Sequence, residues 1–242
     1  MRISACIPFR ARSGGIVGRD ERALELVIDN LFAQGIDEVM LHNQGKEPLV
    51  IERPNLYHIH VPIDCWRMGY GYNTCATHAI GDIVILTLGG MLLSPGVVED
   101  AATGVVAGSV YIAGTEKFFL CTEDATQKIC SRGLSDLPRV AVGARQLASN
   151  KVGLGGFCAI SRENFLMRIG GYESEHDNWG ADDRDFHWRG GILMYQRRRA
   201  VGSIYHLCDG FPLDRMQEPQ REENRLLSIQ REKSKWWRND LR

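Results

Sequence analysis

Three carboxylates between two tryptophans mark the part of the sequence best suited to chemistry. Asp182, Asp183 and Asp185 lie between Trp179 and Trp188, and they directly follow a Gly-Ala step. A glycine lets the backbone come close to a bound molecule, and large apolar rings beside a carboxylate reduce its contact with water. The stretch therefore predicts a site for the chemistry of a desolvated carboxylate.

The same residues also fit the start of a helix. Acidic side chains in a first turn complement the positive end of the helix dipole, and such a helix would run from Asp182 towards Arg189. Trp179 and Trp188 would then be core residues. This stretch alone does not choose between the two interpretations, so the elements around it must decide.

The composition is that of an ordinary globular protein and argues against several other classes. Of the 242 residues, 44% are hydrophobic and 24% charged, which is typical of a globular domain with a substantial core. A formal net charge of -1 gives no general attraction for nucleic acid or an anionic membrane, so neither is expected as a partner.

Without an apolar run of bilayer length or a signal peptide, the expected compartment is the cytoplasm. Seven scattered cysteines without a C-x-x-C pair argue against a disulfide framework or a structural zinc site.

Alternating strands and helices in the first half predict an α/β fold. Strands are predicted over residues 3–7, 38–43 and 56–61, with an amphipathic helix over 21–32. This order favours a parallel sheet with right-handed crossovers, in which ligands bind beyond the carboxyl ends of the strands. Residues 81–88 are almost continuously apolar and predict a central strand that is buried on both faces.

The segments that follow are less regular. Residues 62–73 are rich in glycine and aromatic side chains and are expected to form a loop, with a short helix over 74–80. Residues 121–150 have the polar, glycine-punctuated pattern of a mobile flap. Further strands are expected over residues 155–161, 192–195 and 201–206.

Three stretches, taken in order, carry a resemblance to a known family. They are residues 7–10 at the end of the first strand, residues 73–96 around the central strand, and residues 156–185 up to the acidic stretch. They resemble, respectively, the nucleotide-holding loop, the segment around the metal-binding Asp-x-Asp, and the acceptor-side segment of glycosyltransferases of the GT-A fold. The last is similar both to family 2 enzymes and to the C-terminal half of galactosyltransferases.

The resemblance implies a single GT-A domain over residues 1–212, with a mainly parallel central sheet flanked by helices. Its nucleotide-binding half would cover about 1–108 and its acceptor half about 109–212, before a charged helical tail over 213–242. The implied partners are a donor, which is a uridine diphosphate sugar, and an acceptor, which is a glycan or another molecule with a hydroxyl group. The residues expected at the nucleotide are Pro8, Phe9, Arg10, Arg12, Asn43, Asp64, Asn73, Leu88, Gly89 and Gly90. Those expected at the acceptor or sugar are Trp66, Gly156, Trp179 and Gly180.

One position departs from the family pattern. Where the family has Asp-x-Asp at the end of the central strand, this chain has Leu88-Gly89-Gly90. Those carboxylates normally hold manganese or magnesium against the diphosphate. Arg10 and Arg12 could hold the diphosphate together with backbone amides, a cation could be held by other residues such as His206, or the transferase activity could be lost. The sequence leaves these three alternatives open.

The resemblance places the catalytic step in the acidic stretch. It gives Asp183 the role of the base that takes a proton from the acceptor hydroxyl, and Asp182 that of an acceptor or sugar contact. Asp185 is expected to be a helix-capping or structural partner. The alternative function is an inactive relative that binds a nucleotide, a glycan or a protein. An unrelated α/β protein would fit the strand order, but it would not account for the acceptor-side segment.

Overall fold

The chain folds as alternating strands and helices, and its computed structural model describes residues 1–10, 19–107, 111–134, 137, 145–147, 156–174, 182–193, 197–207, 223, 226 and 229–230. The strands are β1 (Ile3–Phe9), β2 (Glu38–Asn43), β3 (Leu56–His60), β4 (Ile83–Thr87), β5 (Met91–Leu93), β6 (Tyr111–Leu120), β7 (Arg145–Leu147), β8 (Phe157–Ser161) and β9 (Arg197–His206). The helices are α1 (Arg19–Ala33), α2 (Met68–His78), α3 (Val97–Val106), α4 (Glu123–Arg132) and α5 (Asp182–Leu193), with a π-helix over Asn164–Ile169.

All of these strands belong to one sheet. Their order is β3-β2-β1-β4-β8-β6-β9-β5, and β7 pairs with the carboxyl end of β6. Strands β3, β2, β1 and β4 are mutually parallel, and β6 is parallel to β9. Strands β5, β7 and β8 run antiparallel to their neighbours. Most of the described strands therefore point in one direction, which confirms the predicted α/β fold with a mainly parallel sheet.

The sheet separates two hydrophobic clusters. On one face, Ala5 and Ile7 of β1 pack with residues of α1, α3 and α4. On the other face, Cys6 of the same strand packs with residues of α2, the π-helix and α5. Successive side chains of a strand point to opposite faces, so a strand covered on both sides is apolar throughout. All of β4 is buried, which confirms the central strand predicted within residues 81–88.

Helix α2 corrects the expectation of a loop over residues 62–73, because it begins at Met68. Glycines lower helix propensity, but those of α2 allow close packing against the sheet. A Cβ on Gly71 would lie 2.6 Å from the Cβ of Pro8 in β1, and Tyr72 and Cys75 are fully buried. Tertiary packing thus outweighs the local preference for a loop.

Two further expectations are corrected in the second half. Residues 121–150 contain α4, whose first turn is capped by the Thr122 hydroxyl accepting from the N–H of Ala125; much of the remainder lies outside the described residues. Ile192 and Leu193 end α5 rather than begin a strand, and the last strand starts at Arg197. The predicted tail falls almost entirely outside the described residues. No helix in the described part of the chain is long and apolar enough to cross a membrane.

His42, near the end of β2, is a buried titratable residue. Its side chain is 0% exposed, and neither ring nitrogen forms a hydrogen bond with the described residues. The Tyr70 ring meets it edge-on with centroids 5.2 Å apart. Burial lowers the pKa of His42 from 6.5 to about 4, because the charged imidazole would lose its hydration. The side chain is therefore neutral at neutral pH.

We expect the protein to lose stability in mild acid because of His42. Between pH 6.5 and pH 4 the unfolded chain binds a proton at this residue while the folded chain does not, so the free energy of unfolding falls by about 3 kcal/mol. Above pH 6.5 both states are neutral at this residue, and its contribution does not change with pH. Urea unfolding at neutral pH and at pH 4 measures the loss.

A His42→Leu variant should lose less stability over the same interval, since it has no imidazole to protonate. A His78→Gln variant is the matched control, because His78 is an exposed residue of α2. This control should keep the wild-type dependence on pH. Equal acid losses in the wild type and the His42→Leu variant would contradict the assignment.

Candidate active site

The carboxyl ends of β1, β2, β4 and β9 meet at one edge of the sheet. Phe9, at the end of β1, pairs with Asn43 at the end of β2. Beyond β4, the carbonyl of Gly90 accepts a hydrogen bond of 2.8 Å from the N–H of Leu207, just beyond β9. This edge brings together most residues expected at the nucleotide, namely Pro8, Phe9, Arg10, Asn43, Leu88, Gly89 and Gly90.

Arg10 and Asp64 are also brought together at this edge. Arg10 directly follows β1, and its Nη2 donates a hydrogen bond of 2.9 Å to the backbone carbonyl of Asp64, in the loop after β3. Trp66, in the same loop, is half-buried and packs against the cluster that contains α2. Arg12 lies outside the described residues. The loop after β3 thus holds a guanidinium group next to the ends of β1 and β2.

Two asparagines expected at the nucleotide form side-chain hydrogen bonds with the protein's own backbone. The Asn43 Oδ1 accepts from the N–H of Gly45 at 2.8 Å, and its Nδ2 donates to the carbonyl of Glu47 at 2.7 Å. The Asn73 Nδ2 donates to the carbonyl of Tyr172, and its Oδ1 accepts from the N–H of Tyr172, both at 2.8 Å. The first amide shapes the turn after β2, and the second joins α2 to the segment before α5. Their contact with a nucleotide stays a prediction.

The turn after β4 lies beside the end of β9. Met91, the first residue of β5, pairs with His206, and a Cβ on Gly90 would lie 3.8 Å from the Nε2 of that histidine. His206 was expected as a metal ligand from its sequence position. It is therefore adjacent to the Leu88-Gly89-Gly90 segment that replaces the acidic pair of the family.

The donor atoms at this point do not suit manganese or magnesium. Leu88, Gly89 and Gly90 offer backbone carbonyl groups, and His206 offers one imidazole, whereas these hard cations are held mainly by carboxylate oxygens. Among the described residues, no three His, Cys, Asp or Glu side chains come together as a possible metal site. At this turn the described residues therefore lack the carboxylates with which the family is expected to hold the cation.

Gly156 lies against the same turn, and its backbone conformation favours glycine. Its φ is +90°, a conformation that residues with a side chain rarely adopt. A Cβ at this position would overlap the Met91 side chain and would lie 3.3 Å from the Leu88 Cδ1. The start of β8 therefore fits closely beneath the turn after β4. A contact of Gly156 with the sugar stays a prediction.

Helix α5 begins within the acidic stretch, at Asp182, and the predicted helix towards Arg189 is confirmed. Asp183 is half-buried, and the hydroxyl of Tyr172 donates a hydrogen bond of 3.4 Å to its Oδ1. Trp179, Gly180 and the side chain of Asp182 lie outside what the structure describes. The helix start and a carboxylate site are compatible, because Asp183 is both in the first turn and beside a buried tyrosine.

Buried hydroxyl and thiol groups surround Asp183. Burial, and after it the negative charge of Asp183, raises the pKa of Tyr72, Cys158 and Tyr172 well above their ordinary values. Cys158 pairs with Leu86 one residue before the end of β4. The connection of Asp183 to the strand ends runs through Tyr172, which is bonded to Asn73 of α2, and α2 packs on Pro8 near the end of β1. The two tyrosines and the cysteine remain neutral at neutral pH.

A buried ion pair attaches α5 to the rest of the domain. The Nε and Nη2 of Arg189 donate to the Oδ2 of Asp185 at 3.0 and 2.7 Å, and Nη1 donates to the carbonyl of Ile169 at the end of the π-helix. The Arg189 and Asp185 side chains are 3% and 1% exposed. Asp185 is thus a structural partner, as expected, and it lies two residues after the candidate base.

The hydrogen bond of Tyr172 to Asp183, and the packing of other tyrosines near it, could not be read from the sequence. Tyr72 belongs to α2, Tyr111 to β6 and Tyr172 to the segment before α5, so no local spacing connects them. Tyr111 also forms a buried hydrogen bond through its hydroxyl with the Nδ1 of His187 in α5. The only sequence signal was that Tyr172 falls within the acceptor-side segment.

Comparison with known proteins supports the fold. No protein-family model and no curated protein matches the sequence. Among solved structures, it is similar to the mannosyltransferase PcManGT from Pyrobaculum calidifontis in complex with GDP-Man and Mn2+, with a TM-score of 0.54 and 16% identity. It is also similar to residues 1–349 of TarS from S. aureus, with a TM-score of 0.56 and 13% identity.

These matches cover 85% of the chain but only 56% of the PcManGT chain and 60% of the TarS chain. The chain therefore spans little more than half the length of either structure. At this level of identity the likeness shows the fold alone. The chain has a Rossmann-like α/β fold that it shares with a mannosyltransferase.

We expect an Arg189→Met variant to be strongly destabilised. It would leave the Asp185 carboxylate buried without its partner, and breaking a buried ion pair in this way costs about 3–5 kcal/mol. Removing both charges, in an Asp185→Leu/Arg189→Met variant, should restore much of the loss. Chemical denaturation measures both free energies of unfolding.

The exposed pair between Lys128 and Asp124 in α4 has the same spacing of four residues and an N–O distance of 2.6 Å. A Lys128→Met variant is therefore the matched control, and it should cost less than about 1 kcal/mol because solvent screens the pair. Losses of equal size at Arg189 and Lys128 would contradict a role for the buried pair in holding α5.

Proposed function

We propose that the chain is a glycosyltransferase that moves a sugar from a nucleoside-diphosphate donor to a hydroxyl acceptor, with Asp183 as the base. The observation that carries this proposal is the position of Asp183, which is half-buried in the first turn of α5 and accepts a hydrogen bond from Tyr172. Tyr172 is in turn bonded to Asn73 of α2, the helix that packs on Pro8 near the end of β1. Ligands of such α/β folds bind at this edge of the sheet. The fold shared with a mannosyltransferase supports the class of reaction.

In an inverting transfer, the Asp183 carboxylate takes the proton of the acceptor hydroxyl while that oxygen attacks the anomeric carbon. A new carbon–oxygen bond forms as the bond between the anomeric carbon and the phosphate oxygen breaks. The nucleoside diphosphate leaves with the electron pair of the broken bond. The N-terminal turn of α5 favours the charged carboxylate before the reaction. Asp182, Trp66, Gly156, Trp179 and Gly180 are proposed to contact the acceptor or the sugar.

A uridine diphosphate sugar is the proposed donor, as the resemblance implies. The PcManGT structure contains GDP-Man, so guanosine diphosphate sugars are the first donors to be compared with uridine diphosphate sugars. Because Leu88-Gly89-Gly90 offers no carboxylate, we propose that Arg10, Arg12 and backbone amides carry the charge of the diphosphate. Asn43, Asp64 and Asn73 are proposed to lie at the nucleoside.

Calorimetric titration with a panel of uridine and guanosine diphosphate sugars tests donor binding. We expect at least one donor to bind, and each titration is made with manganese and with a chelator. Binding that needs manganese would point to metal ligands outside the described residues. Binding in the presence of the chelator would support the proposal that Arg10, Arg12 and backbone amides hold the diphosphate. A chain that binds none of the donors would rule out the transferase.

We expect an Asp183→Asn variant to bind the donor as the wild type does but to lose turnover. Removing a general base typically costs about 100- to 10,000-fold in rate, and asparagine keeps the size of the side chain. Donor hydrolysis and transfer to sugar acceptors measure kcat, while calorimetry measures the donor Kd. The control is Asp124→Asn, at an exposed carboxylate of α4, which should leave both quantities unchanged. Wild-type turnover in the Asp183→Asn variant would exclude Asp183 as the base.

The second candidate is a relative without catalytic activity that binds a nucleotide, a glycan or a protein. It is favoured by the Leu88-Gly89-Gly90 segment, which lacks the carboxylates of the family's Asp-x-Asp. Donor binding without any hydrolysis or transfer, in both the wild type and the Asp183→Asn variant, would support this function. Hydrolysis that disappears in the variant would exclude it.

A further inference from the structure

The hydroxyl of Tyr172 is held in a fixed place beside Asp183. Its ring stacks on Phe186, with centroids 4.1 Å apart and planes 6° from parallel. The Tyr72 ring lies against it at 5.1 Å. Both backbone groups of Tyr172 are bonded to the Asn73 amide at 2.8 Å. These contacts fix the main chain and the ring together, so little freedom is left at the hydroxyl.

Tyr172 can act only as a donor towards an ionised Asp183. Burial raises the pKa of the Tyr172 hydroxyl well above its ordinary value, and the negative charge of Asp183 raises it further. The hydroxyl is therefore protonated across the neutral range. Its oxygen lies 3.4 Å from the Asp183 Oδ1, to which it donates, and a hydrogen bond to the charged form of a carboxylate favours that form.

We propose that Tyr172 is a positioning residue for Asp183, whose hydroxyl donates to the Oδ1 and so fixes the orientation of the carboxylate and keeps it ionised. This inference rests on the proposed role of Asp183 as the base. A base must be charged and correctly directed before it can take the proton of an acceptor. In this role Tyr172 acts on the reaction through its hydrogen bond to Asp183.

Tyr72 provides the contrast that makes the inference testable. It is fully buried, it packs on Tyr172, and the charge of Asp183 raises its pKa too. Its hydroxyl, however, forms no hydrogen bond with the described residues. Two neighbouring tyrosines thus share the same burial, but only the Tyr172 hydroxyl bonds the carboxylate. Replacing each by phenylalanine keeps the ring and removes only the hydroxyl.

The test compares Tyr172→Phe with Tyr72→Phe in the full chain. In Tyr172→Phe we expect kcat to fall about ten-fold, the equivalent in rate of one hydrogen bond, while the donor KM stays at the wild-type value. The acidic limb of the pH profile of kcat should move to higher pH by up to about one unit. Tyr72→Phe should keep the wild-type kcat and profile. A Tyr172→Phe profile identical to that of Tyr72→Phe would overturn the inference.

A second measurement separates this inference from the proposed function. The Asp183 carboxyl carbon can be titrated by NMR without substrate, with the Asp183→Asn variant giving the assignment. We expect its midpoint to be higher in Tyr172→Phe than in the wild type and unchanged in Tyr72→Phe. If the wild type shows no turnover, the proposed transferase function is overturned. The change in the Asp183 midpoint between wild type and Tyr172→Phe would still report the hydrogen bond in that case. An unshifted midpoint would overturn the role of Tyr172 even in an active enzyme.

Thermal unfolding checks that each variant is folded. Should Tyr172→Phe fail to fold, Asn73→Ala takes its place, because it retains the hydroxyl but releases the backbone of Tyr172 from both hydrogen bonds. The midpoint of Asp183 should then move in the same direction by a smaller amount. An unmoved midpoint in folded Asn73→Ala would likewise count against the inference.

Discussion

The position of the candidate base depends on how Phe186 packs. This side chain is fully buried, and its ring meets those of Tyr172, Phe165 and Tyr111 with centroids 4.1, 5.7 and 6.2 Å away. Burying an aromatic ring is among the largest single contributions of a side chain to packing. Because Asp183 lies three residues before Phe186, both are on the same side of α5. The contact that attaches the helix therefore also places the carboxylate.

The parallel half of the sheet could be predicted because its signals are local. Strand β2 has the bounds expected from the sequence, 38–43, and β4 lies within its predicted apolar run. The second half of α2 agrees with the helix predicted over residues 74–80. Its first half could not be predicted, since Gly69 and Gly71 reduce helix propensity and the helix is stabilised by packing on parts of the chain far away in sequence. Strand β5 was missed because three residues are too few for a periodic pattern.

The candidate site was located only in part, for the same physical reason. The acidic stretch is contiguous, so its residue types were visible together and its helix start could be expected. The hydroxyl that bonds Asp183 lies 11 residues before it, outside the acidic stretch, and the amide that holds Tyr172 lies 99 residues before that tyrosine. The absence of carboxylates at Leu88-Gly89-Gly90 was visible in the sequence, whereas the position of His206 beside that turn follows from the pairing of β5 with β9.

The double hydrogen bond between Asn73 and Tyr172 joins residues 99 positions apart in the chain. Closing so long a loop costs conformational entropy, and contacts of high sequence separation form slowly. Glu173 also packs its carbonyl against Gly69 at the start of α2. The hydrogen bonds that hold Tyr172 beside the Asp183 carboxylate therefore cannot form within either half of the chain alone. These hydrogen bonds form only when residues 68–78 are docked against the segment before α5.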